Sequence, residues 1–317
     1  MALLNACNVS LNTVNTGTEC DASMDATAML IMVPVGASWT DADITGAGSF
    51  TEFAKTKIHA AGSSRWFPIG GYAAPINSIT ESNEADVTET LDDGSTIFVR
   101  YGKYNRTFST TKGGLCLADK LMRFPKGYSF VEVDISGKVL QYKVSEGTYK
   151  GVPVTLFKGL APEAANLKTS YKNKFMLSFD PVAYVQNGVI SATDSDEDVL
   201  GLQGLLDVEV TAGTATQTTT NIFFGVKTEC AETDLVELYT GTGAGKIGQI
   251  TNFIVTKVSD GTVVTPSAVA VVNGEVRLTG TYTSGADYYV AMNVPATLKT
   301  NGISGYEGVK KATISIP

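Results

Sequence analysis

Short apolar-containing runs with strand signals recur between turn residues over much of this chain: Val87–Leu91, Thr96–Tyr101, Tyr128–Ile135, Lys138–Lys143 and Val152–Lys158, while Asp287–Asn293 alternates apolar and polar positions. A period of two sends successive side chains to opposite faces, which is the mark of a strand with one face buried. Two-residue turn signals sit between neighbouring runs: Asp93-Gly94, Ser136-Gly137, Asp260-Gly261 and Asn273-Gly274. These residues tolerate the positive φ of a tight hairpin. Further strands are predicted over Lys174–Phe179, Val208–Thr211, Asn221–Thr228, Leu235–Tyr239, Asn252–Val258, Ser267–Val272, Glu275–Tyr282, Asp287–Asn293 and Lys311–Ile316, and the apolar run Met29–Val35 has a strand's length.

Helical spacing is rare. Ser49–Ala61 carries Phe50, Phe53, Ala54, Ile58 and Ala61 on one face, starts at a Ser49/Glu52 capping box and stops at Gly62. A second short helix is expected from Cys116 to Phe124, ended by Pro125. Residues 1–28 lack periodicity and read as an extended arm, and 36–48 read as a long loop. The glycine-rich stretch Thr240–Gly248 reads as a linker. The expected architecture is therefore mainly β: a sandwich or barrel-like domain over 1–240 with one or two short helices, then a small Ig-like β-sandwich over 241–317.

Charge supports that division. The 317 residues carry a net −8, yet residues 241–317 are +2, so the first 240 hold the whole negative excess. Such a surface repels phosphate backbones and disfavours proteins that grip duplex DNA. No basic side chain precedes Lys55, so no secretory or transit signal is legible at the start, and synthesis in the cytoplasm is expected. Cys7, Cys20, Cys116 and Cys230 form no CxxC pair. They read as reduced, mostly buried thiols, with a Cys7–Cys20 link as the alternative.

Candidate chemistry is sparse. Gly241–Lys246 looks like a phosphate loop, but three residues separate its outer glycines where four are needed, and Ile247 replaces the magnesium-holding Ser or Thr. Asp194–Asp198 begins like a calcium loop, but Val199 and Leu205 occupy the positions that require Gly and Glu. His59 is the only histidine and has no second histidine to complete a metal set. No catalytic residue, metal ligand or cofactor is predicted, and the chain reads as a non-enzyme.

One cluster stands out. Glu81, Glu84, Asp86, Glu89, Asp92 and Asp93 crowd a single hairpin. It reads either as an ordinary solvated hairpin or as a strand lining a pore, with Glu84, Asp86 and Glu89 as the lumen-lining candidates. A negative wall would let a duplex slide past without sticking.

Scattered local patterns carry a resemblance. They are Asn15-Thr-Gly17 with Cys20, Met29–Pro34, Arg65-Trp-Phe-Pro68, Val87-Thr-Glu-Thr90, Asp93-Gly-Ser95, Val99-Arg-Tyr-Gly102 leading into Arg106-Thr-Phe108, and Val133-Asp134 with Ser136-Gly137. Together they resemble the tail-tube (major tail protein) type of virion structural protein from phages and prophages of Bacteroidota. The C-terminal part, ending in Gly302–Glu307, is similar to Ig-like modules fused to tail proteins. The resemblance implies a virion subunit that pairs with its own copies and other tail proteins. It implies stacked homohexameric rings around a DNA channel, with DNA passing without specific binding. The 241–317 module would decorate the outside, where Tyr282, Tyr288, Tyr289 and Tyr306 either touch host glycans or cover a small core. A head-decoration, connector or baseplate role and a carbohydrate-binding adhesin are the alternatives.

Overall fold

The structure is a computed structural model and describes residues 4–5, 24–165, 170–193 and 198–317. Strand accounts for 45% of the described residues and helix for 18%, so the fold is mainly β, as the strand and turn signals predict. It divides into two compact units, one of Met1–Ile58 and Gly62–Gln203, the other of His59–Ala61 and Gly204–Pro317.

The first unit is organised by one branched sheet of twelve strands. Its main path runs Leu4–Asn5, Gly188–Ala192, Val139–Ser145, Tyr128–Asp134, Val152–Glu163, Lys172–Phe179, Tyr104–Thr110 and Ile76–Glu81. Thr27–Pro34 pairs with both Tyr128–Asp134 and Phe67–Gly70. The long strand Val152–Glu163 turns the corner. Its first residues pair with Tyr128–Asp134, and after a register shift between Val154 and Leu156 the rest pairs with Lys172–Phe179. Bulges bend strands in this way. Side chains from both halves then meet in one core: Leu30, Met32, Phe130 and Leu140 from one, Phe108, Phe175, Leu177 and Phe179 from the other. The sheet does not close into a barrel.

Both predicted helices form, over Phe50–Ile58 and Gly114–Met122. Trp66 packs against Trp39 (5.0 Å between centroids) and edge-on to Phe53, which fixes the first helix to the sheet. Ser49 Oγ accepts from the Glu52 amide at 3.1 Å, while the Glu52 carboxylate meets Lys55. The two-sided capping box lies one element earlier, at Thr40 and Asp43, and starts a helix over Asp41–Ala47. The expected loop over 36–48 is thereby corrected. The helix has two turns and one buried apolar residue, Ile44, too few to register as a period.

The expected arm over 1–28 lies mostly outside the described residues. Leu4–Asn5 pair antiparallel with Ser191 and Ala192 of the same chain, and strand begins again at Thr27.

The second unit is a two-sheet sandwich. One sheet orders Ala268–Val272, Glu275–Thr279, Asn221–Thr228, Leu206–Ala212 and Tyr306–Lys310, the last pairing parallel; the other orders Val263–Val264, Phe253–Lys257, Asp287–Met292 and Ala312–Ser315. Val210, Ile222, Phe224, Val276 and Leu278 from the first face Phe253, Val255, Val290, Met292 and Ile314 from the second. Asn273 and Gly274 both take positive φ (52° and 79°), as their hairpin requires.

The boundary therefore falls between Gln203 and Gly204, not at 240, because Leu206–Ala212 and Asn221–Thr228 are central strands of the second sandwich. The glycine-rich stretch after Thr240 is a packed turn of that unit. Gly241 and Gly243 both have φ of 103°, the Gly245 amide donates to Asn301 O, and Ile247 is fully buried. Glycine serves conformation there, not flexibility. Leu235–Leu238 is a helical turn capped by Asp234, where a strand was expected; the cap's two hydrogen bonds to the Val236 and Glu237 amides prevail over strand composition.

Cys116 and Cys230 are both disulfide-bonded, and no described cysteine is free. Cys7 and Cys20 lie outside the described residues. The expectation of reduced thiols is corrected: separation along the chain does not report proximity in space.

Candidate functional site: a projecting hairpin and the groove beside it

Val87–Thr90 and Thr96–Arg100 pair only with each other, as a separate two-stranded sheet. Asp93 and Gly94 form its turn. Gly94 takes a φ of 82°, and Asp93 accepts from both the amide and hydroxyl of Ser95, which holds its carboxyl below the usual carboxylate range. A register shift between Val87 and Thr88 leaves Val99 without a cross-strand partner.

Almost every residue from 77 to 101 is exposed. That includes Leu91, Ile97, Phe98, Val99 and Tyr101, with Phe98 and Tyr101 each more than half exposed. Their rings touch at 4.6 Å between centroids. Beside them lies a groove of about 350 Å³, lined by Phe98, Tyr101, Thr155, Pro181 and the cations Arg100 and Lys103.

The hairpin is stitched at its base. The Glu84 amide donates to Lys103 O and the Ser82 amide to Asn105 O, both at 2.9 Å. The Gly102 amide donates to Asp86 Oδ1 at 2.9 Å. A Cβ at Gly102 would collide with Glu84 O, so only glycine fits where the strands cross. Below the base, Arg106 Nε meets Glu81 at 2.9 Å, and its NH1 reaches the buried Glu132 at 3.4 Å and Tyr184 at 3.2 Å. The Tyr184 hydroxyl donates to Glu132 at 3.1 Å, and Thr27 Oγ1 donates to its other oxygen. Burial, then the neighbouring Glu132 carboxylate, pushes the Tyr184 phenol up to about 12.

The three lumen-lining candidates share this hairpin but not one role. Asp86 is engaged by the Gly102 amide. Glu89 pairs across the strands with Ile97, on the strand face opposite to Asp86. Glu84 is exposed at the base. Sequence reasoning found the acidic hairpin and missed its exposed apolar residues, because alternation alone implies that one face is buried.

The other motifs lead elsewhere. Asp198 accepts from the Gly201 amide at 3.0 Å, while residues 194–197 lie outside the described set. No cluster of metal-ligating side chains occurs among the described residues. Tyr282 and Tyr288 are buried against each other in the second core, so neither presents a face to a glycan; Tyr289 lies under Lys311 Nζ at 3.5 Å. No helix among the described residues is long and apolar enough to cross a membrane. No protein-family model matches the chain, and no curated protein matches it in sequence.

Proposed function

We propose that this chain is a structural, non-enzymatic virion protein of the tail-tube type, which joins copies of itself through the projecting hairpin into stacked rings around a DNA channel. One observation carries the reading: an isolated two-stranded sheet, exposed on both faces, carries Leu91, Ile97, Phe98, Val99 and Tyr101. A lone hairpin is marginal in water, and clustered apolar groups on a projecting arm call for a partner surface. Repetition by symmetry multiplies each such contact. The Glu84 and Glu89 carboxylates have no partner among the described residues, and their charge would repel passing phosphates. Disulfides at Cys116 and Cys230 suit a particle that persists outside the cell.

Sedimentation of the full chain tests this against a variant in which residues 85–100 are replaced by a short Gly-Ser turn. The reading requires large particles from the parent and their loss in the variant, with thermal unfolding unchanged. Equal sedimentation of the two would refute it.

A further inference from the structure

The second unit offers a different surface at its strand edges. Proteins blunt exposed edges with short strands or charges. Three of the sandwich's four edges follow that rule. Val263–Val264 is two residues long, Tyr306–Lys310 carries Glu307 and Lys310, and Ala312–Ser315 is four residues beginning directly after Lys311. The fourth edge, Ala268–Val272, reads Ala-Val-Ala-Val-Val, with no charge and no proline.

Its open side can be read from the ladder. The tight Asn273-Gly274 turn makes Val272 and Glu275 a hydrogen-bonded pair, and bonded and non-bonded pairs alternate from there. Ala270 and Ala268 therefore direct their backbone groups inward. Val269 and Val271 direct theirs outward, where no further partner exists among the described residues. Two outward-facing residues flank one central residue, an arrangement that matches itself under a two-fold axis at Ala270. Antiparallel pairing with a second copy would set Val269 against Val271 of that copy, and the reverse, satisfying every outward group with four hydrogen bonds.

The side chains permit this approach. Val269 and Val271 pack on the core, so the outer face at the axis presents Ala270, the small side chain that a close non-bonded pair requires. Arg277, one strand inward, would lie three strand spacings from its counterpart, roughly 14 Å. That exceeds the screening length of about 8 Å at physiological salt, so the two guanidiniums do not oppose the pairing.

We infer that Ala268–Val272 is a homotypic pairing edge, through which two copies join their five-stranded sheets into one continuous sheet. This goes beyond the hairpin reading and does not depend on it. The test is hydrogen exchange on the full chain at low and high concentration, for the parent and for Ala270→Lys and Val271→Pro. Lysine at the axis brings two charges together, and proline removes an outward N–H without touching the inner ladder.

The expected result is at least about tenfold slower exchange of the Val269 and Val271 amides at high concentration, abolished by Ala270→Lys. Ala270→Lys and Val271→Pro should both lose a two-fold step in mass with unchanged thermal unfolding. Exchange that ignores concentration in the parent would overturn the inference, whatever the variants do. Hairpin-dependent particles whose 267–272 amides stay open would retain the hairpin reading and reject this edge; the converse pattern would do the reverse.

Discussion

Arg106 NH1 lies 3.4 Å from Glu132 Oε2, joining the strand at the hairpin's base to the centre of the first sheet. Neither group is well hydrated, and both are held by Tyr184 as well. Arg106 also packs on the Phe179 and Tyr184 rings, at 5.4 and 4.9 Å. A buried charge that loses its partner costs far more than the pair contributes. Arg106→Ala should therefore destabilise the first unit by about 3–5 kcal/mol in denaturant unfolding. Glu132→Gln keeps the shape but loses the anion and one of the two acceptor oxygens that Thr27, Tyr184 and Arg106 donate to, so it should also destabilise the unit measurably. Equal, small effects would mean that water reaches the pair.

Tyr184 makes this network visible to pH. Its phenol is raised from an ordinary 10.0 to about 12, first by burial and then by the Glu132 carboxylate. An acid whose folded value is raised contributes stability that is complete below the unfolded value and lost as pH rises through the folded one. The network's contribution should thus be intact at neutral pH and fade between 10 and about 12. Phenolate absorbance should show a late-titrating class containing Tyr184 and Tyr306, the latter raised to about 12 by burial and its Tyr239 contact. Tyr184→Phe should remove one member of that class. A single titration near 10 for all tyrosines would contradict the buried placement.

Much of this fold was legible in the sequence. The Asp93-Gly94, Ser136-Gly137, Asp260-Gly261 and Asn273-Gly274 turns all lie where their residue types place them, because positive φ is a local requirement that glycine and asparagine meet. The missed elements depend on contacts distant in sequence. Tyr306–Lys310 is a strand only because Leu206–Ala212 lies beside it. The domain boundary followed composition at Thr240–Gly248, but glycine marks sharp turns inside a fold as readily as linkers. The acidic hairpin was readable; its detachment from every other sheet was not, since pairing partners are a property of the whole chain.

Gly302 tests the corrected boundary. It has a φ of 85°, and a Cβ there would stand 2.8 Å from Gly245 Cα. Gly302→Ala should destabilise the second unit by about 1–3 kcal/mol through left-handed strain and collision. It should also open residues 241–246 to protease, whereas the parent resists cleavage there. Rapid cleavage of the parent would restore the linker reading.

The disulfides can be counted. Thiol titration of unfolded, unreduced chain, followed by peptide mapping, should find neither Cys116 nor Cys230 reactive. Reduction should lower stability by about 2–5 kcal/mol. Two labelled thiols at these positions in protein isolated with air excluded would return the chain to the reduced state expected from its sequence.

The hairpin's role as a joint between copies is decided most directly by images. Electron microscopy of the purified full chain should show stacked rings with a central hole, reduced to single subunits by Gly102→Ala, which drives a methyl group into Glu84 O at the hairpin base. Single subunits from the parent chain at high concentration, or rings that persist unchanged in Gly102→Ala, would contradict it.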